Sequence, residues 1–137
     1  MKKYGLFFST LFFLQIVIAQ KRNFTVATTF FKKDTINIIS LGAIGDGYQL
    51  QTNTINKAIQ LQYQKGGGVV LIPAGIWLTG PIDLLSNVNL HLAKNALLLF
   101  TNDFSQYPLV ASSFEGVDAA RCKSPITAEG ATNIGIT

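Results

Sequence analysis

The sequence predicts an all-β chain of short strands behind a single early helix. Three observations carry this. From Val69 onward, brief apolar runs alternate with turns containing Pro, Gly and Asn. No helix-sized segment separates those runs. That excludes βαβ units, whose parallel strands need a crossover of about a dozen residues or more. The one stretch with helical periodicity, Thr52 to about Lys65, lies ahead of them. Two architectures satisfy this order: a sandwich of antiparallel hairpins, and a right-handed parallel β-helix whose coils turn through short bends. Tight hairpins favour Asn-Gly or Asp-Gly, and Asp46-Gly47 precedes the helix rather than joining two strands. The balance falls on the β-helix. A solenoid exposes an apolar end that needs a cap, and the helix is expected to supply it.

Each element has its own signal. Ile36 to Leu41 reads as a first strand, and Gly42 to Gly47 as a glycine-rich turn. In the helix, Ile55, Ala58, Ile59 and Tyr63 fall on one face, opposite Asn56, Lys57, Gln60 and Gln64. Thr52 is the expected N-cap and Gly66 the left-handed C-terminal cap. Gly66-Gly67-Gly68 then suits a close backbone passage. Val69 to Ile72, Ile76 to Leu78, Ile82 to Leu85 and Ala96 to Phe100 are continuous apolar runs. Val88, Leu90 and Leu92 alternate with Asn89 and His91, the period of a half-buried strand. Pro125 to Ala128 and Asn133 to Thr137 complete the series, with Glu115 to Pro125 read as a connection.

Composition narrows the function classes. The 137 residues include 11 Lys plus Arg, 7 Asp plus Glu, one His and one Cys. With 48% hydrophobic and 13% charged residues, the chain is no disordered tail. A single Cys excludes a disulfide framework and a Cys-based zinc site, and a single His excludes a His-rich metal centre. No cofactor or metal is expected. Lys2 and Lys3 precede the uncharged, apolar stretch Tyr4 to Gln20, and Ala19 is a small residue at its end. This is the three-part pattern of a secretory signal. Residues 1–19 are therefore expected to be a cleaved, bacterial-type signal, 20–35 a loose lead, and 36–137 the β-helix. The product would be secreted or periplasmic, with no stable membrane anchor. Loss of Lys2 and Lys3 takes the 11 basic residues to 9 against 7 acidic, too even for a nucleic-acid footprint. Asn23-Phe24-Thr25 fits a glycosylation triplet but is read as chance.

The strings LGAIGDGYQLQTNTINKAIQ, GGGVVLIPAGIWLTGPIDLLSNVNLHLAKNALLLF, NDFSQYP and EGVDAARCKSPITAEGATNIGIT resemble the N-terminal part of polygalacturonases, glycoside hydrolase family 28. The Gly-Asp-Gly, helix and triple glycine are shared among pectate-lyase-like β-helices. The segment from Ser86 to Leu92, Tyr107-Pro108 and Glu115-Gly116-Val117 narrow the resemblance to the polygalacturonases. It spans about Ile39 to Thr137 and implies hydrolysis of α-1,4-galacturonosyl bonds in pectin, with inversion. Inversion needs a general acid and a general base, with their carboxyl groups about 6.5–9.5 Å apart. The resemblance places those carboxylates in Asn-Thr-Asp and Asp-Asp motifs, assisted by Gly-His-Gly and Arg-Ile-Lys.

None of these motifs is present. Thr101-Asn102-Asp103 holds the right letters in the wrong order and reads as a turn. His91 lies between leucines and reads as a half-exposed strand residue. Arg121-Cys122-Lys123 matches the charge spacing of Arg-Ile-Lys, and its cations share one side if extended. Its place in a connection favours a surface role over a weak carboxylate contact. Gly42-x-x-Gly45-x-Gly47 lacks the Lys-Ser/Thr of a phosphate loop. Trp77 reads as core rather than a sugar platform, and Cys122 as incidental. The expectation is a truncated, inactive N-terminal part of a pectin hydrolase, with no catalytic, cofactor or metal residue of its own. A stand-alone carbohydrate-binding or structural β-solenoid is the alternative. A related lyase would need calcium-binding carboxylate clusters that seven scattered acids do not supply.

Overall fold

The computed structural model describes residue 26 and residues 28–137. The expected signal and the Asn23 triplet lie outside the described residues. Ten strands and one α-helix follow in order: β1 (Thr35–Asn37), α1 (Thr52–Gln64), β2 (Gly68–Ile72), β3 (Gly75–Thr79), β4 (Ile82–Asp83), β5 (Val88–Leu92), β6 (Ala96–Phe100), β7 (Leu109–Phe114), β8 (Val117–Cys122), β9 (Ile126–Thr127) and β10 (Gly135–Ile136). Short 3-10 turns occupy Ile38–Leu41 and Phe104–Gln106. No described helix is long and apolar enough to cross a membrane.

The strands stack in coils. One parallel sheet runs β1-β2-β5-β10, a second pairs β3 with β6, and a third pairs β4 with β9. Residues of successive coils lie in register: Ile36 on Val70, Val70 on Leu90, Leu90 on Ile136. In-register parallel pairing puts like faces above one another, so these side chains form an internal ladder. Val70, Ile72, Val88 and Leu90 are fully buried in it. Each such side chain contributes about 1.5–3 kcal/mol through removal from water. Ile136, on the last rung, is 54% exposed.

Helix α1 turns Ile55, Ala58, Ile59 and Gln62 toward the core. Gln62 replaces the expected Tyr63, which is exposed. The Gln62 amide donates to the backbone oxygens of Asp34 and Val69, both at 2.9 Å, so it joins the helix to the lead and to β2. Thr52 is not the N-cap. Gln51 holds that position without a side-chain bond, and Thr52 Oγ1 accepts instead from the Gly80 N–H. Gly66 does take the left-handed conformation at the other end, φ +83°. Its N–H bonds Tyr63 O and the Gly67 N–H bonds Gln62 O, the paired pattern of a Schellman cap. At Gly67 any Cβ would lie 2.4 Å from the Asn87 backbone oxygen, so the triple glycine is indeed a close passage.

Further expectations change. The first strand ends at Asn37, because that side chain accepts from the Ile39 N–H and starts a 3-10 turn. Ile82 to Leu85 forms only the two-residue strand β4. The connection before Pro125 is instead an antiparallel hairpin, β7 with β8, inserted between β6 and β9. Its turn residues Glu115 and Gly116 have φ +49° and +82°, the sign that a type I′ turn requires at both positions. The stretch read as a loose lead carries defined contacts. Phe30 N–H and C=O both bond the Asn133 amide, and Asp34 pairs with Lys65 at 3.3 Å.

Candidate functional site

A groove of about 890 Å³ opens where α1, the β4/β9 sheet and the β7–β8 hairpin meet. Its hub is Asp83. Parallel pairing sets Asp83 beside Thr127, whose hydroxyl donates to the Asp83 carboxylate. The Asp83 N–H donates to Asn56 Oδ1 of α1 at 3.0 Å, and Asn56 Nδ2 donates to Pro81 O at 2.9 Å. Asn56, expected on the solvated face, is therefore a strut between helix and sheet. Lys123, just after β8, brings its ammonium within 2.7 Å of the carboxylate. Thr127 of β9 and Lys123 thus converge on the Asp83 carboxylate, while Asn56 of α1 holds its backbone. Partial burial pushes the Asp83 carboxyl up. The hydrogen bonds from Lys123 and Thr127, with the Lys123 charge, outweigh this and hold it below the usual carboxylate range.

Arg121 and Lys123, expected in a surface role, both line the same groove. Arg121 pairs with Val110 across the hairpin, and both residues line the groove. Cys122, between the two cations, is exposed. The guanidinium donates from Nη1 to Ser124 Oγ at 2.9 Å. Glu129 closes the rim. The sequence reading missed Asp83, Asn56, Thr127 and Glu129. Only Asp83 left a signal, a lone charge closing the apolar pair Pro81-Ile82.

The remaining candidates lie elsewhere. Asp103 accepts from the Ser105 N–H and starts a 3-10 turn. Hydrogen bonds from Ser105 hold its carboxyl low, and the Tyr107 hydroxyl donates to Thr101 O. His91 Nδ1 lies 2.8 Å from Thr137 Oγ1 on the outer side of β5. Trp77 is buried and donates to Pro73 O at 2.7 Å. Asp46 accepts from the Gln49 and Tyr48 N–H groups, which hold it low. With Asp34 in its ion pair, four of the seven carboxylates are committed to turns or to cations. Glu115 and Asp118 sit on the hairpin and Glu129 on the groove rim. Among the described residues, no three His, Cys, Asp or Glu side chains group as metal ligands. The groove offers a cation, hydroxyls, amides and a carboxylate, which is chemistry for holding a polar ligand.

No protein-family model matches the chain. A probable polygalacturonase of Vitis vinifera is 36% identical over 109 residues, covering 74% of this chain and 22% of that protein. A hyperthermoactive exopolygalacturonase of Thermotoga maritima superposes with a TM-score of 0.73 at 31% identity, over 81% of this chain and 25% of that one. A family 28 exopolygalacturonase of Yersinia enterocolitica gives 0.68 at 32% identity, over 77% and 20%. The chain spans about a fifth of the length of the curated relatives it matches.

Proposed function

The chain is related to the family 28 polygalacturonases, and we propose that it forms the N-terminal cap and first coils of an exported pectin hydrolase. In this reading residues 1–19 are the signal, α1 covers the open end of a right-handed β-helix, and 36–137 begin its coils. The whole enzyme hydrolyses α-1,4-galacturonosyl bonds with inversion. Its product is secreted or periplasmic, acts on galacturonate polysaccharide, binds no nucleic acid and keeps no membrane anchor once the signal is cut. The observation that supports the reading is the superposition of these coils on an exopolygalacturonase of Thermotoga maritima, with a TM-score of 0.73 at 31% identity over 81% of this chain.

The general acid and base belong to coils outside this stretch. Asp83 is held ionised and spoken for by Lys123, so it is no general acid. The test is release of reducing ends from polygalacturonate, with the product anomer read by proton NMR. The product of the complete coding sequence should cleave with inversion, and the 137-residue chain alone should release nothing. Turnover by the chain alone would overturn the placement of the acids. A silent complete product would overturn the enzymatic reading. The groove favours one second reading, a non-catalytic carbohydrate-binding solenoid, for which the complete product binds galacturonan without cleaving it.

A further inference from the structure

We propose that residues 28–34 are a late-closing clasp. It shuts over the coils only once Asn133 and Gly135 are in place, and until then it leaves the stretch behind the expected cut after Ala19 open. The role given to that cut rests on the export reading above. The two ends of the strap have different partners. At its C-terminal end, the Asp34 backbone oxygen accepts from the Val69 N–H at 2.8 Å and from the Gln62 amide at 2.9 Å. Lys32 Nζ donates to Lys65 O at 3.1 Å, and Asp34 pairs with Lys65. These partners belong to α1, its C-terminal cap and the start of β2. At its N-terminal end the partner lies 103 residues away. The Asn133 amide accepts from the Phe30 N–H at 3.2 Å and donates to the Phe30 oxygen at 2.9 Å. One side chain thus takes both backbone groups of one residue, as a facing strand residue does in an antiparallel pair.

Asn133 is aimed at the strap by its own coil. It has φ +52°, and its Nδ2 also donates to Oδ1 of Asn87, which has φ +64°, at 3.0 Å. The Asn87 N–H donates to Thr132 O at 3.0 Å, so the two turns are stacked. Beside them the Phe31 ring lies over Gly135 of β10, where a Cβ would come within 2.8 Å of the ring. A residue without a side chain makes room for it. Chain order then fixes the order of closure. The helix and β2 are near the strap in sequence and can hold Asp34 before β10 exists. Asn133 and Gly135 take their places only when β10 pairs with β5, and pairing across such a separation is slow. Until then Phe30 lacks both bonds to Asn133. The lead stays open while the third coil is unmade, which suits a chain trimmed ahead of residue 28 before its coils are complete.

The experiment uses the product of the complete coding sequence without residues 1–19. It is unfolded in urea and refolded under brief pulses of trypsin, and the cuts are read by mass spectrometry. Cuts after Lys32 and Lys33 should persist after the cut at Lys57, exposed on α1, has ceased. In the native protein, Asn133→Ala removes both bonds to Phe30. It should speed cutting after Lys32 and Lys33 by about tenfold or more and leave Lys57 unchanged, since such cutting tracks the population of the open form. Gly135→Ala displaces the Phe31 ring and should act in the same direction, which keeps the clasp testable if the first variant does not fold. Protection of Lys32-Lys33 that arrives together with that of Lys57, or native cutting unchanged in the folded variants, overturns the clasp. N-terminal sequencing of the exported product tests the export reading separately. A start at Gln20 upholds that reading even if the clasp fails, and a start elsewhere overturns the expected cut while the trypsin result still decides the clasp.

Discussion

The Asp83 carboxyl is held low in the folded chain, below its unfolded value of about 3.9. A group shifted this way adds stability that is complete above the unfolded value and is lost as pH falls through the folded one. In the product of the complete coding sequence, Asp83→Asn should therefore flatten part of the acid limb of a urea-midpoint-against-pH curve. At neutral pH it should cost about 0.5–1 kcal/mol, because the pair is partly solvent-screened. An acid limb unchanged from the parent would show that the pair is not formed. Asp46 and Asp103 are shifted in the same direction, so some slope persists in the variant. Trp77 tests packing rather than charge. Trp77→Ala should cost about 3–5 kcal/mol by urea denaturation. Gly45→Ala should cost about 1–3 kcal/mol, because its Cβ would lie 2.8 Å from the Trp77 ring. A neutral G45A would mean that the ring shifts freely.

Among the elements, the hairpin is the least self-sufficient. Every residue of β8 is exposed, and an isolated two-stranded hairpin is marginal in water. Its turn should then govern its stability. Glu115→Asn supplies the side chain best suited to positive φ in a type I′ turn and should slow amide exchange at Ser112 and Ala119, which face each other in a hydrogen-bonded pair. Gly116→Ala, at φ +82°, should speed it. Equal exchange in both variants would mean that contacts at the hairpin base, not the turn, hold it. This element was also the least legible in the sequence. The strands β2, β3 and β6 were readable as uninterrupted apolar letters, and β5 by its two-residue alternation. Leu109–Phe114 and Val117–Cys122 bury little, so they leave no such trace, and Glu-Gly is a weaker turn signal than Asn-Gly. The groove was hidden for a related reason. Asp83, Asn56 and Thr127 are distant in the chain, and only coil register brings them together. The Arg121–Lys123 pair was legible because its spacing alone sets its side.

For the whole molecule, the stack ends in three strand edges. Among the described residues β10, β6 and β9 each pair on one side only. Beside them, Ile76, Leu97 and Leu99 lie exposed on the outer face of the β3/β6 sheet. Unpaired edges are templates for association, and contiguous apolar surface adds to the tendency. The 137-residue chain expressed alone should thus elute as aggregates and melt without a sharp transition. A monomeric elution profile with a cooperative melt would overturn this.

The hairpin's place in the chain also shapes how quickly the coils close. Val70 finds Leu90, and Trp77 finds Leu98, across short separations. Asp83 and Thr127 must meet across 44 residues. Each doubling of a loop adds about 0.6 kcal/mol to its closure entropy, and pairing between distant residues slows folding. A hairpin, by contrast, closes on itself in about 1–10 μs. Once zipped, it shortens the flexible path between β6 and β9. The third sheet and the pairing of β10 on β5, which spans a similar separation, should be the last parts of the coil to assemble, and the turn at Glu115-Gly116 should act on their folding rate from a distance.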